Sequence, residues 1–325
     1  MNKKTTFDWK FILFLITFLA LTIGIFIFVN RYNEEQASFV KEAKEKGLIE
    51  KSEKEKRLEE EEKERLEEEK KRLEKERIQK ELETGALLPG YNFARKAESY
   101  AYDTKEIRMI TRGEKEYAGE KVVFLTFDDG VNTSITPLVL DVLKEKNVPA
   151  TFFVVGGNLT EEIAPIFKRE IAEGHGVALH SQTHDYTHLY PGRVADVEAI
   201  RQEALDTQQA CKNLLGDDFH SAVFRYPGGH MSWNEMEPAD LMLEQNNIQW
   251  IDWNCLVGDA EPEDIRPTTA EEMMDFLKMT IKNAGNPDVL VVLMHDAIGK
   301  NLTLETLPQI IDYFKAEGFK FGILK

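Results

Sequence analysis

The sequence predicts an α/β fold: a parallel sheet of about seven strands, arranged as a barrel and flanked by helices. Two observations point there. From about Lys121 onward, short apolar runs alternate with amphipathic stretches of helical length, the signature of repeated βα units. In addition, several apolar runs lead into polar residues that can act as ligands, and in parallel α/β folds the site gathers at the carboxyl ends of strands. The alternation alone fits a closed barrel or an open doubly wound sheet equally well. Five strand ends converging on one chemistry favour the barrel.

The chain first passes through two regions of different physics. Residues 1–33 carry a net charge of +3, residues 34–83 carry -4, and the remainder carries -16 of the total -17. Phe11–Val29 is an uncharged run of 19 residues, about 28 Å long as a helix, against a hydrocarbon core of about 30 Å. Trp9 and Tyr32 flank it as interfacial aromatics do, and Lys3, Lys4 and Lys10 precede it. The excess of positive charge predicts a cytoplasmic N-terminus (1–10), a transmembrane anchor (11–29) in the lipid bilayer, and an extracellular remainder. A cleaved signal peptide is the alternative, but its apolar part is shorter and ends in a small-x-small site. This run ends Phe26-Ile27-Phe28-Val29-Asn30.

Residues 30–84 read as a charged helical stalk. Of residues 34–83, 34 are charged, and most of them are strong helix formers. Glu67–Lys71 and Glu68–Arg72 fall four apart, a spacing that supports helix. Leu58, Leu66 and Leu73 fill too little of a heptad seam for a full coiled coil, so a single solvated helix, with at most weak dimerisation, is expected. Thr84-Gly85 and Pro89-Gly90 end it. Residues 85–120 read as a segment packed on the next domain, with a short helix over 92–101. Residues 121–325 carry the chemistry. Strands are expected at 121–127, 150–155, 176–179, 222–225, 247–252, 289–294 and 319–324. Helices are expected at 136–146, 161–173, 194–215, 235–245, 269–285 and 304–317.

Composition excludes several classes. An acidic chain is a poor partner for nucleic acid, whose binding rests on neutralising phosphates. Hydrophobic residues make up 42% of the 325, so wholesale disorder is excluded. Two cysteines, Cys211 and Cys255, cannot form a disulfide scaffold; two buried thiols and one disulfide both remain open.

The polar strand ends suggest a hydrolase. His180 and His184 form His-x-x-x-His, which on a helical turn would put both imidazoles on one side. Two imidazoles and a carboxylate make a metal site with room for water. Asp128 and Asp129 are adjacent at a strand end: one could ligate a metal while the other accepts a proton, and Gly130 permits a sharp turn. His295 could protonate a leaving group, with Asp259 orienting it. Each motif alone has a plainer reading: Asp-Asp-Gly as a turn, His-x-x-x-His as chance, His295 as a core histidine. Their ordered combination is what argues for a site.

Thr126-Phe127-Asp128-Asp129-Gly130, His180-Ser181-Gln182-Thr183-His184, Arg225-Tyr226-Pro227-Gly228-Gly229 and Leu293-Met294-His295-Asp296 resemble the signature series of the NodB-type polysaccharide deacetylases, carbohydrate esterase family 4. The resemblance covers about residues 118–325. With the anchor, it looks like the membrane-bound cell-wall deacetylases of Gram-positive bacteria. It implies a distorted (β/α) barrel of about seven strands. It implies Asp128 as catalytic base, Asp129, His180 and His184 as ligands of a divalent metal (zinc, or cobalt or manganese), and Arg225 as the partner that holds Asp128 ionised. It further implies the Gly228 amide as an oxyanion donor, His295 as general acid and Asp259 as its partner. The activity implied is release of acetate from N-acetylglucosamine in peptidoglycan, or alternatively in a wall-attached polysaccharide or its linkage unit.

Departures from the family pattern fall at Trp253-Asn254-Cys255-Leu256-Val257-Gly258-Asp259-Ala260, where Leu256 and Ala260 replace an acid and a tryptophan. Asp252 is therefore a rival to Asp259, and Asp264 a remote one. Tyr226, Trp233 and Trp253 are candidate groove residues. A non-catalytic glycan-binding protein is the competing class and would need a decayed metal triad.

Overall fold

The computed structural model describes residues 9–47 and 53–325. The chain divides into two units, one up to Lys75 and one over Glu76–Lys325. In the first, α1 (Trp9–Glu45) carries the apolar run directly into the start of the charged stretch; α2 (Glu53–Thr84) begins in the first unit and ends in the second. Gly47 has a left-handed φ of 66°, which an ordinary residue avoids. Within the expected stalk, the described residues form the end of α1 and the whole of α2. From Leu13 onward α1 is long and apolar enough to cross a membrane. The expected cytoplasmic residues 1–8 and stalk residues 48–52 lie outside the described residues.

In the second unit a 3₁₀ turn (Arg95–Tyr100) is followed by β1 (Ala101–Tyr102), α3 (Thr104–Thr111), β2 (Val122–Asp128), α4 (Thr136–Lys146), β3 (Thr151–Val154), α5 (Ala164–Ala172) and β4 (Gly176–Leu179). Next come α6 (Tyr186–Leu189), α7 (Val197–Leu215), β5 (Val223–Phe224), α8 (Glu237–Gln245), β6 (Gln249–Trp250) and β7 (Cys255–Leu256). The unit closes with α9 (Ala270–Lys282), β8 (Val289–His295), α10 (Asn301–Ala316), β9 (Lys320–Phe321) and β10 (Ile323–Leu324).

The main sheet runs β6-β5-β4-β3-β2-β8-β7, all parallel, with β9 pairing the start of β2. β6 and β7 are its two edges, so the seven strands curl into a barrel left open between them. α3 packs on β6 and β8. Its Ile107 and Ile110 join Val122, Phe124, Phe153, Val223, Val289 and Val291 in one buried cluster. This helix is not the one expected at 92–101. Thr104–Thr111 has a helical apolar stripe only four residues deep, too short for periodicity to register, and it is started by Asp103 accepting from Glu106 N–H. The expected strand at 319–324 is split between two sheets, since β10 leaves β2 to pair with β1.

Strand alternation positions the site. Along β2, Val123, Leu125 and Phe127 face the helices, so Phe124, Thr126 and Asp128 face the other way. In β8, Leu290, Val292 and Met294 face the helices, which turns His295 to the same side as Asp128. The two residues are register partners, and both sit at the carboxyl mouth of the barrel.

Candidate active site

Asp128 lies at the bottom of the mouth with 2% of its surface exposed. Arg225, wholly buried at the end of β5, donates from Nη1 to Asp128 Oδ1 at 2.7 Å and to Thr126 Oγ1 at 2.8 Å. Its other nitrogens donate to the carbonyls of Ile251 and Asp252, and its face lies 3.8 Å from the Phe153 ring centroid. Burial pushes the Asp128 carboxyl up, and the Arg225 charge and hydrogen bond pull against it without cancelling it.

Asp129 stands at a left-handed φ of 72°, which aims its carboxylate away from that of Asp128. Its Oδ1 lies 3.5 Å from His180 Nε2 and 3.3 Å from His184 Nε2. That oxygen is buried and has no hydrogen-bond partner. His180 Nδ1 bonds the Arg225 carbonyl at 2.8 Å, so Nδ1 carries the proton and Nε2 presents a lone pair to the cluster. Burial drives the His180 pKa down to about 3, which keeps the ring a neutral ligand. An orphaned carboxylate oxygen facing two imidazole nitrogens, with all ligand atoms within 4.8 Å, fits a divalent cation of the kind that two histidines and a carboxylate bind.

The two histidines are not on a helical turn. Residues 180–185 form a loop in which Ser181 and His184 take left-handed φ values of 65° and 57°. Side-chain bonds to the backbone hold this loop. Ser181 Oγ accepts from His184 N–H, and the Glu203 carboxylate on α7 accepts from the N–H groups of Gln182 and Thr183 at 3.0 Å and from Thr183 Oγ1 at 2.5 Å. Glu203 was missed in the sequence because it sits twenty residues away on an ordinary helix face. Asp296 was likewise unassigned. Its Oδ2 accepts from Thr136 Oγ1 at 2.5 Å, and a Cβ on Gly130 would come within 2.5 Å of the same oxygen. Gly130 is thus required by close approach rather than by an unusual φ.

Across the cavity, His295 Nδ1 bonds Asp259 Oδ1 at 2.8 Å, and His295 N–H donates to Asp259 Oδ2 at 2.9 Å. Thr303 and Lys300 complete the contacts of Asp259. Asp252 makes no such bond; both its oxygens accept from His230 N–H. Asp264 is exposed.

A cavity of about 240 Å³ is bounded by these groups and by Tyr186, Gly228 and Trp253. Gly228 is exposed, and no described residue accepts from its N–H. Tyr226 is corrected: it is fully buried, donates to Asp240 Oδ1 at 2.8 Å and is no part of the cavity wall. Trp233 lies behind the Gly228 turn, stacked on Tyr190 at 4.1 Å. Tyr186, 5.1 Å from His184, takes the wall position instead. Cys211 and Cys255 are both buried and free.

The match with known proteins decides the family. Residues 115–239 match the model of the polysaccharide deacetylase family. A Streptococcus mutans esterase of carbohydrate esterase family 4 has a solved structure 48% identical to the chain, with a TM-score of 0.72; the match covers 74% of this chain and 99% of that one. The chain belongs to the polysaccharide deacetylase family. Among polysaccharide deacetylases with curated descriptions, it is 32% identical to a bifunctional xylanase/deacetylase of Pseudobutyrivibrio xylanivorans over 62% of its own length and 29% of the relative's. It is 29% identical to a peptidoglycan-N-acetylglucosamine deacetylase of Listeria monocytogenes, over 62% of this chain and 37% of that one. The chain therefore spans about a third of the length of these two relatives. Deacetylases of this family use a divalent metal.

Proposed function

We propose that the chain hydrolyses the N-acetyl group of N-acetylglucosamine residues in cell-wall peptidoglycan, releasing acetate and leaving a free amine. The observation that carries this reading is the facing of two prepared groups across one cavity: Asp128 held by Arg225, and His295 held by Asp259, with the Asp129–His180–His184 cluster beside them.

In this reading Asp129, His180 and His184 hold a divalent cation, zinc first with cobalt or manganese as alternatives. Such a cation polarises the acetyl carbonyl and lowers the pKa of water. Asp128 accepts the proton of the water that adds to the carbonyl carbon, and Arg225 keeps Asp128 ionised and oriented. The Gly228 N–H faces the oxygen where negative charge develops. As the C–N bond breaks, His295 gives its proton to the departing nitrogen, and Asp259 holds the imidazole in the required tautomer. Trp253 and Tyr186 offer faces for the sugar ring. Residues 11–29 anchor the chain with its N-terminus inside, residues 30–84 space the catalytic part from the membrane, and residues 85–120 complete the domain at 121–325. The exposed Leu58, Leu66 and Leu73 give the stalk a thin seam for weak pairing with a second copy.

A second reading places the target N-acetylglucosamine in a wall-attached polysaccharide or in its linkage unit to peptidoglycan. At about 240 Å³ the cavity has room for one sugar ring, which either polymer can present. Acetate release by the full chain in detergent, loaded with zinc, would be measured on two substrates with Asp128→Asn as blank. Release from peptidoglycan stripped of attached polymers supports the first reading. Release only from polysaccharide bearing its linkage region supports the second, and release from neither rejects both.

A further inference from the structure

A second cavity, of about 300 Å³, adjoins the first, and Trp253 lines both. Its other walls include Arg108 and Arg112 of the α3 region, Trp250 and Asp252 at the end of β6, and Met231. The two arginines lie on and just after α3, ahead of the segment that matches the family model, 115–239.

The cavity runs against the charge of its surroundings. The region after residue 83 is strongly acidic, yet two guanidiniums meet here, with Cζ atoms 4.6 and 5.4 Å from the Trp250 ring centroid. Arg108 is a fixed part of the wall: its Nη1 donates to the Trp250 carbonyl at 2.9 Å and its Nη2 to Gln249 Oε1 at 3.3 Å. Arg112 is exposed, and only its Nε is engaged, donating to Glu114 Oε1 at 2.9 Å. The acid in the cavity, Asp252, accepts from the His230 N–H with both oxygens, while the Arg225 and Arg112 charges act on its carboxylate against burial. Met231 is 86% exposed at the rim, an apolar side chain without a packing role.

A guanidinium over an indole face is held there by cation–π attraction, and the Nη edge of Arg112 is left to meet a ligand. Such an edge matches the paired oxygens of a carboxylate or phosphate, and it binds them more strongly than the hydroxyls of a neutral glycan. We propose that this cavity is a subsite for an anionic substituent carried next to the N-acetylglucosamine being deacetylated. The proposal rests on the deacetylase reading above and narrows its substrate to anionic glycans. The anion is a lactyl carboxylate in peptidoglycan or a phosphodiester in a linkage between glycans.

The test compares the full chain in detergent, zinc-loaded, on chitotetraose, on a peptide-free peptidoglycan oligosaccharide, and on an oligosaccharide with a phosphodiester next to its N-acetylglucosamine. In Arg112→Glu, the ratio of kcat/KM on one anionic substrate to that on chitotetraose is expected to fall about tenfold, carried by KM, as for the loss of one charged hydrogen-bonding partner. Arg112→Lys should restore most of the ratio. The anionic substrate that responds identifies the carboxylate or the phosphate. A ratio unchanged in Arg112→Glu for both anionic substrates overturns the subsite. Binding separates this from failure of the deacetylase reading. Asp128→Asn should bind N-acetylglucosamine 1-phosphate more tightly than N-acetylglucosamine, and addition of Arg112→Glu should remove the preference. Equal binding of the two sugars, with chitotetraose and the peptide-free peptidoglycan oligosaccharide also bound equally, overturns the subsite even if the enzyme proves active.

Discussion

The hydrogen bond from His295 Nδ1 to Asp259 Oδ1 sets the pH range in which the cavity can donate a proton. Burial alone drives the imidazole down, but the Asp259 charge and hydrogen bond outweigh it and leave the His295 pKa above its ordinary value. A donor is active in its protonated form, so kcat/KM should hold through neutral pH and fall as pH rises through that elevated pKa. Asp259→Asn removes the raising charge. Its alkaline limb is therefore expected to move to lower pH, with kcat down about a hundredfold, within the range attributed to positioned acids and bases. A pH–rate profile whose alkaline limb stays in place would show that Asp259 does not govern His295. Arg225→Met should cost about 3–5 kcal/mol of stability, because it leaves the Asp128 carboxylate buried without its partner; urea denaturation measures it, and a loss below about 1 kcal/mol would refute the account. The sequence made Asp128, Asp129, His180, His184, Arg225 and His295 legible because chemistry, spacing and strand ends agreed. Tyr226 misled because its motif position near the loop says nothing of the Asp240 carboxylate that draws its hydroxyl into the core.

The His180–His184 loop holds its ligands through Glu203, which touches neither imidazole of the pair but ties three groups of the loop backbone and side chains. Outer partners of this kind typically change metal affinity by about 10–100-fold. Glu203→Ala is expected to weaken zinc by that factor in a chelator competition while the far-ultraviolet circular dichroism stays unchanged; equal affinity would make Glu203 a packing residue only. Such a residue has no signature in a single sequence, since a carboxylate at a buried helix position reads like any other on a charged helix. The helix expected for His-x-x-x-His fails for a related reason. Spacing of four suits a helical turn, but hydrogen bonds from Ser181 and Glu203 stabilise a loop instead. α3 was equally hidden, and it fills the barrel interior with Ile107 and Ile110. Ile107→Ala should cost about 2–5 kcal/mol, the range for buried isoleucine truncation, read as a shift of the denaturation midpoint.

At the scale of the molecule, long apolar and charged runs made the first unit legible in outline, and βα alternation did the same for the barrel. What could not be read was the seam. The strand path opens between β6 and β7, and α3, from outside the alternating region, packs there. No local pattern connects those pieces. The spacer reading of residues 30–84 carries its own prediction: replacing α2 residues 53–75 by an unrelated helix of equal length should leave wall deacetylation in cells unchanged. Loss of activity with normal protein levels would assign the stalk sequence a specific partner.

The pairing of β1 with β10 brings Ala101 beside Ile323, and the Lys325 carbonyl accepts from Thr104 N–H and Oγ1 at the start of α3. A ribosome adds about 5–20 residues per second, so α3 emerges about 10–40 s before the strand that fixes it. Through that interval the Ile107–Ile110 cluster lacks Leu324, and the start of α3 lacks the Lys325 carbonyl. Stalled nascent chains ending before residue 320 should be cut by protease within 104–111, and released full-length chains should resist. Equal resistance would mean that the barrel closes without its returning strand.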